Sequence, residues 1–136
     1  MTPAEMAALH GRCFTSPRPW VAAEFAAIAS DPLCFTLIES GGFLVGRAVA
    51  EEAEILTLAV DPEARRRGTG ARLVQGFLAK AQSRGSVSVF LEVAANNQPA
   101  ISLYLQAGFA KVGLRRGYYT LPDGTAVDAV VMQRAV

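Results

Sequence analysis

Residues 58–70 constrain the fold of this chain more than any other part of the sequence. An apolar run ends at Asp61-Pro62, and an apolar pattern of helical spacing begins after Gly70. Between them lie consecutive arginines and two nearby glycines: Arg65, Arg66, Arg67, Gly68 and Gly70. This pattern predicts a buried strand that is joined by a glycine-rich turn to the N-terminus of a helix.

A turn of this kind suits an anion. The first N–H groups of a helix have no partners within the helix, and the helix dipole adds positive charge there. Glycines keep side chains away from those amides, and arginines donate charge-assisted hydrogen bonds to phosphate oxygens. The sequence therefore predicts a diphosphate site, although a solvated loop without a ligand remains the alternative on this segment alone. The predicted contacts are Arg65, Arg66, Arg67, Gly68, Thr69, Gly70 and Ala71.

Two common nucleotide-binding loops do not fit these residues. Leu73 stands where the dinucleotide-binding fingerprint requires its third glycine. A P-loop requires Gly-Lys followed by Ser or Thr, and no such sequence follows the arginines. The predicted anion site therefore belongs to another class.

The composition bounds the remaining possibilities. A chain of 136 residues with 51% hydrophobic residues is expected to form a single domain, residues 1–136. Its net charge of +1 argues against a nucleic-acid partner, which needs a broad basic face. The two cysteines, Cys13 and Cys34, and the single histidine, His10, make a metal site improbable. The N-terminus has no leader pattern and no apolar run has transmembrane length, so we expect no membrane association and a cytoplasmic protein.

The order of predicted elements is helix, helix, hairpin, strand, helix, strand, helix and a final hairpin. Thr2-Pro3-Ala4-Glu5 is typical of a capping box, and Gly108-Phe109 of a Schellman helix end. Gly76 within the third helix predicts close packing, and His10 is predicted to be a partly exposed residue without a role. The predicted strands cover residues 33–39, 43–51, 53–60, 87–93, 111–116 and 126–134. The expected fold is α/β (α+β), with a mixed, mostly antiparallel central sheet flanked by helices.

With this order established, the chain resembles the GNAT acetyltransferases, and the RimI-like N-terminal acetyltransferases are the nearest group. The resemblance rests on four motifs in this sequence: Arg65-x-x-Gly68-x-Gly70, Leu91-Glu92-Val93, the helix from Asn97 to Tyr104, and Arg116-Gly117-Tyr118-Tyr119 followed by Asp123-Gly124. One departure is that such domains usually start with a strand, whereas this chain starts at a helix cap. That edge strand is therefore absent, contributed by a neighbouring chain or lost to a wrongly assigned start, which leaves both a monomer and a homodimer open.

The resemblance implies acetyl-CoA as the cosubstrate, with its pyrophosphate held by the arginine-glycine motif. It also implies that the strand ending in Leu58, Ala59 and Val60 splays from the strand of Glu92. Its exposed amides and carbonyls would meet the pantetheine arm, and one N–H would bind the thioester oxygen. Asn97 would contact coenzyme A, although it could also simply cap its helix.

The resemblance further implies that Glu92 is the general base, acting through water, and that Tyr104 protonates the departing sulfur. Glu92 interrupts an apolar run, where burial would disfavour its charge and strengthen it as a base. A phenol with a pKa near 10 can protonate a thiolate whose conjugate pKa is about 8.5. The alternatives are a surface glutamate on an edge strand and a tyrosine that only packs.

The acceptor implied by the resemblance is a protein N-terminus or peptide, with a ribosomal protein as the typical substrate. Tyr118 and Tyr119 would lie in a loop over the acceptor, and Trp20 would line its other side. Ordinary hairpin packing and a helix anchor are the alternatives for these residues. A lysine or small-amine acetyltransferase and a non-catalytic acyl-CoA-binding module remain alternative functions. The presence of both Glu92 and Tyr104 argues against the last.

Overall fold

A computed structural model describes residues 1–15 and 18–136. Its helices are α1 (Pro3–Cys13), α2 (Ala22–Ala29), α3 (Thr69–Ser83) and α4 (Gln98–Gln106), with a 3-10 turn at Pro62–Ala64. Its strands are β1 (Cys34–Glu39), β2 (Gly42–Val49), β3 (Glu52–Val60), β4 (Ser88–Ala94), β5 (Ala110–Thr120) and β6 (Ala126–Ala135). The predicted order of elements is confirmed, and the described residues contain no strand before α1.

The strands form a six-stranded sheet in the order β1-β2-β3-β4-β6-β5. The β3–β4 pair is parallel because α3 crosses between these strands, and the other neighbouring pairs are antiparallel. The predicted mixed, mostly antiparallel sheet is therefore confirmed. In the part of the chain that the structure covers, no helix combines the length and apolar character needed to cross a bilayer.

The helices cover both faces of the sheet and form two apolar cores. The side chains of α3 and α4 pack with the sheet in the larger core, around Phe77 and Leu91. The side chains of α1 and α2 pack on the opposite face against β2 and β3, around Phe25 and Phe43. Each core contains fully buried aromatic rings, so both helix layers are fixed to the sheet.

The helix ends follow from local sequence. The Thr2 hydroxyl accepts a hydrogen bond from the Glu5 N–H while the Glu5 carboxylate accepts one from the Thr2 N–H, which completes the predicted capping box. At the end of α4 the Phe109 N–H donates to the Tyr104 carbonyl, and Gly108 has a φ of +94°. This is the predicted Schellman motif, and its hydrophobic contact is the Phe109 ring against the Tyr104 ring.

The glycine that permits close packing is not the one predicted. A Cβ at Gly76 would find its nearest neighbour, Leu37 Cδ1, at 3.6 Å, which is an ordinary contact. A Cβ at Gly46 in β2 would instead overlap the Phe77 ring. The predicted close approach at Gly76 is therefore wrong. Helix α3 packs on the sheet through the Phe77 ring, so the position that must have no side chain is Gly46 on the strand.

This difference gives a stability prediction. Gly76→Ala is expected to raise the free energy of unfolding by about 0.5–1 kcal/mol, because alanine loses less backbone entropy in a helix and has room here. Urea denaturation of the two proteins measures the change. Gly46→Ala is the matched control and is expected to be strongly destabilising, since its Cβ meets a fully buried ring. A Gly76→Ala protein less stable than the parent would contradict this packing.

Candidate active site

A β-bulge in β3 creates the opening in which the candidate site lies. Ile55 pairs with Gly46 and Thr57 pairs with Val45, so Leu56 is an extra residue without a partner on β2. The parallel pairing of β3 with β4 ends at the same point, at Ile55 opposite Leu91. From Leu56 onward β3 remains paired with β2 while it parts from β4, as the resemblance implied.

The bulge also reverses which side chains of β3 face each core. Ile55 packs in the core of α3 and α4, whereas Thr57, two residues later, contacts His10 of α1 on the opposite face. In a regular strand these two residues would share a face. The extra residue therefore turns a polar side chain toward α1 at the place where the strands diverge.

A cleft of about 100 Å³ occupies this divergence. Most of the predicted functional side chains of β3, β4 and α4 line it together, with residues of α1 and β5 at its margins. The lining includes Trp20, Leu58, Glu92, Asn97, Tyr104 and Tyr119, which were predicted, and His10, Phe14, Leu56 and Thr57, which were not. Part of the predicted site therefore comes together from distant parts of the chain, whereas Ala59, Val60, Tyr118 and residues 65–71 do not line this cleft.

Glu92 lies on β4, opposite Val131 of β6, and its side chain is 23% exposed. Arg115 of β5 is 3.3 Å from its carboxylate, and sequence reasoning missed this partner. Glu92 is therefore a partly buried carboxylate that lines the cleft and pairs with a guanidinium.

Tyr104 lies on α4 and its ring is buried against Phe109, with ring centroids 5.8 Å apart. Burial raises the pKa of Tyr104, so its hydroxyl stays protonated at neutral pH. A protonated phenol in a cleft can donate a hydrogen bond or a proton. The next residue of α4, Leu105, is exposed.

Tyr118 and Tyr119 lie within strand β5, so their prediction as loop residues is wrong. The pairing of β5 with β6 shifts between Arg115 and Tyr119, and Gly117 in this bulge has a φ of +60°. The Gly117 N–H donates a hydrogen bond of 2.8 Å to the Asp128 carboxylate. This irregular stretch gives the two adjacent tyrosines different surroundings.

Tyr119 is half-buried and lines the cleft, whereas Tyr118 is 52% exposed beside it. Burial, with a smaller effect of the Glu92 charge, raises the pKa of Tyr119 to about 12. The two rings meet edge to face, and the Arg115 guanidinium lies over the Tyr118 ring at 4.8 Å. Arg115 therefore links the outer tyrosine to Glu92.

The predicted anion-binding turn ends at Gly68, which has a φ of +76° and precedes the first residue of α3. Helix α3 begins at Thr69, earlier than predicted, so Gly70 and Ala71 also lie in its first turn. Arg65, Arg66 and Arg67 are exposed, and across residues 1–15 and 18–136 none of them forms an ion pair. The turn thus presents unpaired helix amides beside arginines that lack a counterion.

Arg72 fixes the conformation of this turn, and sequence reasoning did not identify it. Its guanidinium donates a hydrogen bond of 2.8 Å to the Arg67 carbonyl and one of 3.4 Å to the Thr69 hydroxyl. It also forms an ion pair with Glu39 at the end of β1. These contacts tie the turn to the edge of the sheet and leave the neighbouring arginines available.

Gly70 lies where α3 comes close to α4. A Cβ at this position would lie 3.1 Å from the Leu103 side chain of α4 and 3.9 Å from Val60. The glycine therefore allows α3 to approach α4, which is a packing role that the sequence did not predict, and its role as a clearance for an anion stays a prediction. Asn97, by contrast, both lines the cleft and caps α4, since its side-chain oxygen accepts from the Ala100 N–H at 3.3 Å.

The family model of the GNAT acetyltransferases matches residues 4–109. The chain belongs to the GNAT acetyltransferase family. It is an acetyl-CoA-dependent N-acetyltransferase, as the motifs predicted.

Two curated GNAT relatives and one further structure illustrate the similarity. The [ribosomal protein bS18]-alanine N-acetyltransferase of Escherichia coli K12 is 36% identical over 84% of this chain and 79% of its own length. Its crystal structure has a TM-score of 0.85 and covers 98% of this chain and 86% of that chain, at 31% identity. The N-alpha-acetyltransferase RimI of Mycobacterium tuberculosis is 39% identical over 94% of this chain and 83% of its own length. Arabidopsis thaliana NAA60 with acetyl-CoA shares the fold alone, at 19% identity and a TM-score of 0.85, covering 98% of this chain and 93% of that chain.

His10 is the residue of this GNAT cleft for which the sequence prediction was most mistaken. It is 1% exposed, whereas a partly exposed residue without a role was predicted. Its spacing from Met6, with which it shares the buried side of α1, was an available signal. Across the described parts of the chain, no group of histidine, cysteine, aspartate and glutamate side chains is arranged to hold a metal ion.

Proposed function

We propose that this enzyme acetylates the α-amine at the N-terminus of a protein, and that a ribosomal protein is the acceptor class. The observation that carries the proposal is the similarity, over 84% of the chain, to an enzyme named for acetylating an alanine of ribosomal protein bS18. The cleft supports it because a carboxylate, a buried phenol and two aromatic side chains line one opening: Glu92, Tyr104, Tyr119 and Trp20.

We propose that acetyl-CoA binds with its diphosphate on the first-turn amides of α3. The exposed arginines Arg65, Arg66 and Arg67 would offset the phosphate charge, and Arg72 would keep the turn in shape. The pantetheine arm would follow Leu58, Ala59 and Val60, where β3 has parted from β4. Asn97, at the N-terminus of α4, would contact the cosubstrate from the other side of the cleft.

The proposed reaction forms a bond between the amine nitrogen and the thioester carbonyl carbon and breaks the carbon–sulfur bond. Glu92, through a water molecule, accepts the proton that the amine loses. The Tyr104 hydroxyl, which burial keeps protonated, donates a hydrogen bond and then its proton to the departing thiolate, and the proton that Glu92 accepted returns through water to restore the phenol. A backbone N–H of the parted segment of β3 stabilises the developing oxyanion.

The energy of deprotonation favours an α-amine acceptor. An α-amine has a pKa of about 7.7–8.0 and a lysine side chain about 10.4, so neutralising lysine costs about 3.4 kcal/mol more. Glu92 is the carboxylate that lines the cleft, and one carboxylate acting through water suits the easier amine. Trp20 and Tyr119 would hold the first residue of the acceptor, and the exposed Tyr118 would contact later ones.

A pair of matched peptides tests this proposal. One has a free N-terminal alanine and no lysine, and the other has a blocked N-terminus and one internal lysine. We expect the free-amine peptide to have a kcat/KM at least about 100-fold higher, which corresponds to about 2.7 kcal/mol of the deprotonation difference. The rate of acetyl transfer is measured from the release of the free thiol of coenzyme A. Equal or faster turnover of the blocked peptide would favour a lysine acetyltransferase. If neither peptide is acetylated and only free small amines are, the enzyme is a small-amine acetyltransferase.

A further inference from the structure

A buried hydrogen-bonded histidine and threonine lie beside the proposed acceptor position. His10 of α1 is surrounded by aromatic rings, the nearest being Phe14 with a centroid distance of 4.3 Å. Its Nδ1 is 2.9 Å from the Trp20 backbone nitrogen, and its Nε2 is 2.8 Å from the Thr57 hydroxyl oxygen. Both ring nitrogens are therefore satisfied by groups that line the cleft.

These contacts assign the tautomer of His10. A backbone N–H can only donate, so Nδ1 must accept from Trp20 and carries no proton. Nε2 then carries the proton and donates it to the Thr57 oxygen. Burial lowers the pKa of His10 to about 4, which keeps this neutral form at physiological pH.

The Thr57 hydroxyl is thereby left with its own proton to donate. The Thr57 oxygen accepts a hydrogen bond from His10, and within residues 1–15 and 18–136 no group accepts a hydrogen bond from the Thr57 hydroxyl. The bulge at Leu56 turns Thr57 toward the face of α1, at the point where β3 parts from β4. A threonine whose hydroxyl oxygen accepts from His10 and whose proton remains to be donated therefore lines the same cleft as Glu92.

We propose that the Thr57 hydroxyl, oriented by His10, is a specificity-determining donor to the carbonyl oxygen of the acceptor's first residue. The inference rests on the proposed α-amine acceptor and extends it. In an N-terminal residue the carbonyl carbon is bonded to the same α-carbon as the amine, so both groups fit in one small cleft. A lysine amine is separated from its nearest carbonyl by the full side chain, so it cannot satisfy Thr57 while it sits at Glu92.

His10 acts in this proposal as a positioning residue. It holds the Thr57 oxygen from one side and the Trp20 backbone from the other, so it connects the two walls of the acceptor position. A site that is built to hydrogen-bond one substrate group discriminates against substrates that lack this group. His10 and Thr57 would therefore increase the preference for α-amines over lysine further than the difference in the energy of deprotonation does.

The test combines a variant with a modified peptide. Thr57→Val removes the hydroxyl with little change in shape, and Thr57→Ser keeps it. The free-alanine peptide is compared with the same peptide in which an alkene replaces the first peptide bond, which removes the carbonyl oxygen. Because loss of the carbonyl also raises the pKa of the amine, kcat/KM is expressed per neutral amine for each peptide. On that basis we expect the parent enzyme to lose about tenfold in kcat/KM, or about 1.4 kcal/mol, on the alkene peptide. Thr57→Val should lose a similar factor on the normal peptide and none further on the alkene peptide.

The controls separate this role from a structural one. Thr57→Ser should behave as the parent, and the KM for acetyl-CoA and the melting temperature are measured for every variant. His10→Gln can still donate to Thr57, whereas the shorter His10→Asn can accept only from Trp20. We therefore expect His10→Asn, but not His10→Gln, to show the same loss as Thr57→Val. Should either histidine variant fail to fold, the comparison of Thr57→Val with Thr57→Ser still tests the proposal.

The proposal is overturned if Thr57→Val has the same kcat/KM as the parent on the normal peptide. It is also overturned if the ratio of kcat/KM between the normal and the alkene peptide is as large for Thr57→Val as for the parent. Either result leaves the proposed function intact, provided that the parent enzyme acetylates the free alanine in preference to lysine. A parent enzyme that prefers the blocked, lysine-bearing peptide overturns both proposals.

Discussion

Glu92→Gln and Tyr104→Phe are each expected to lower kcat by a factor of about 10² to 10⁴ and to leave acetyl-CoA affinity nearly unchanged. The reason is that Glu92 is proposed to remove the amine proton and Tyr104 to supply the thiol proton, and neither lies at the diphosphate turn. Steady-state kinetics with the free-alanine peptide measure kcat, and calorimetric titration measures cosubstrate binding.

The pH dependence distinguishes the two roles. Activity of Glu92→Gln should recover in part above about pH 8, because an α-amine deprotonates unaided there. Tyr104→Phe should show no such recovery. Glu54→Gln on the neighbouring strand is a matched control, since Glu54 is a partly buried glutamate that does not line the cleft. Parent-like turnover by both variants would show that the assigned roles are wrong.

Ala71→Glu is expected to weaken acetyl-CoA binding by about 100-fold or more without lowering stability. Ala71 is exposed in the first turn of α3, where the diphosphate is proposed to lie. A carboxylate there would repel phosphate, and it would also stabilise the helix N-terminus by about 0.3–1 kcal/mol. A binding loss therefore cannot be explained by unfolding of this turn.

Ala71→Gln provides the control of equal size without the charge. We expect it to bind acetyl-CoA much more tightly than Ala71→Glu, with both proteins melting at or above the temperature of the parent. Calorimetric titration at two salt concentrations adds a second check, since the repulsion should be partly screened at high salt. Unchanged affinity in a folded Ala71→Glu protein would exclude the proposed position of the diphosphate.

Short-range sequence patterns predict much of the fold. The glycines of the first hairpin, the capping box at Thr2 and the Schellman end at Gly108 act through neighbours a few residues away. The apolar run through Leu58 predicted a central strand because both of its faces are buried in the sheet. Such features depend on local backbone geometry, so the sequence alone suffices to predict them.

The features that the sequence did not reveal depend on which strands and helices meet. The bulge at Leu56 exists only through the pairing of β3 with β2, and nothing in the apolar run itself marks it. The spacing of His10 from Met6 indicates its burial, but its partner Thr57 lies forty-seven positions away along the chain. Arg115 reaches Glu92 across β6, and local patterning contains no trace of such a cross-strand neighbour.

The most direct test of the central claim is an internal competition within one peptide that carries both a free N-terminal alanine and an internal lysine. The enzyme and acetyl-CoA are incubated with the peptide to low conversion, and tandem mass spectrometry locates the acetyl group. Because both amines belong to the same molecule, differences in peptide concentration or enzyme activity cancel. We expect acetylation at the α-amine in at least about 99 molecules of 100, because a 100-fold difference in kcat/KM corresponds to a preference of about 2.7 kcal/mol. Acetylation mainly at the lysine would contradict it.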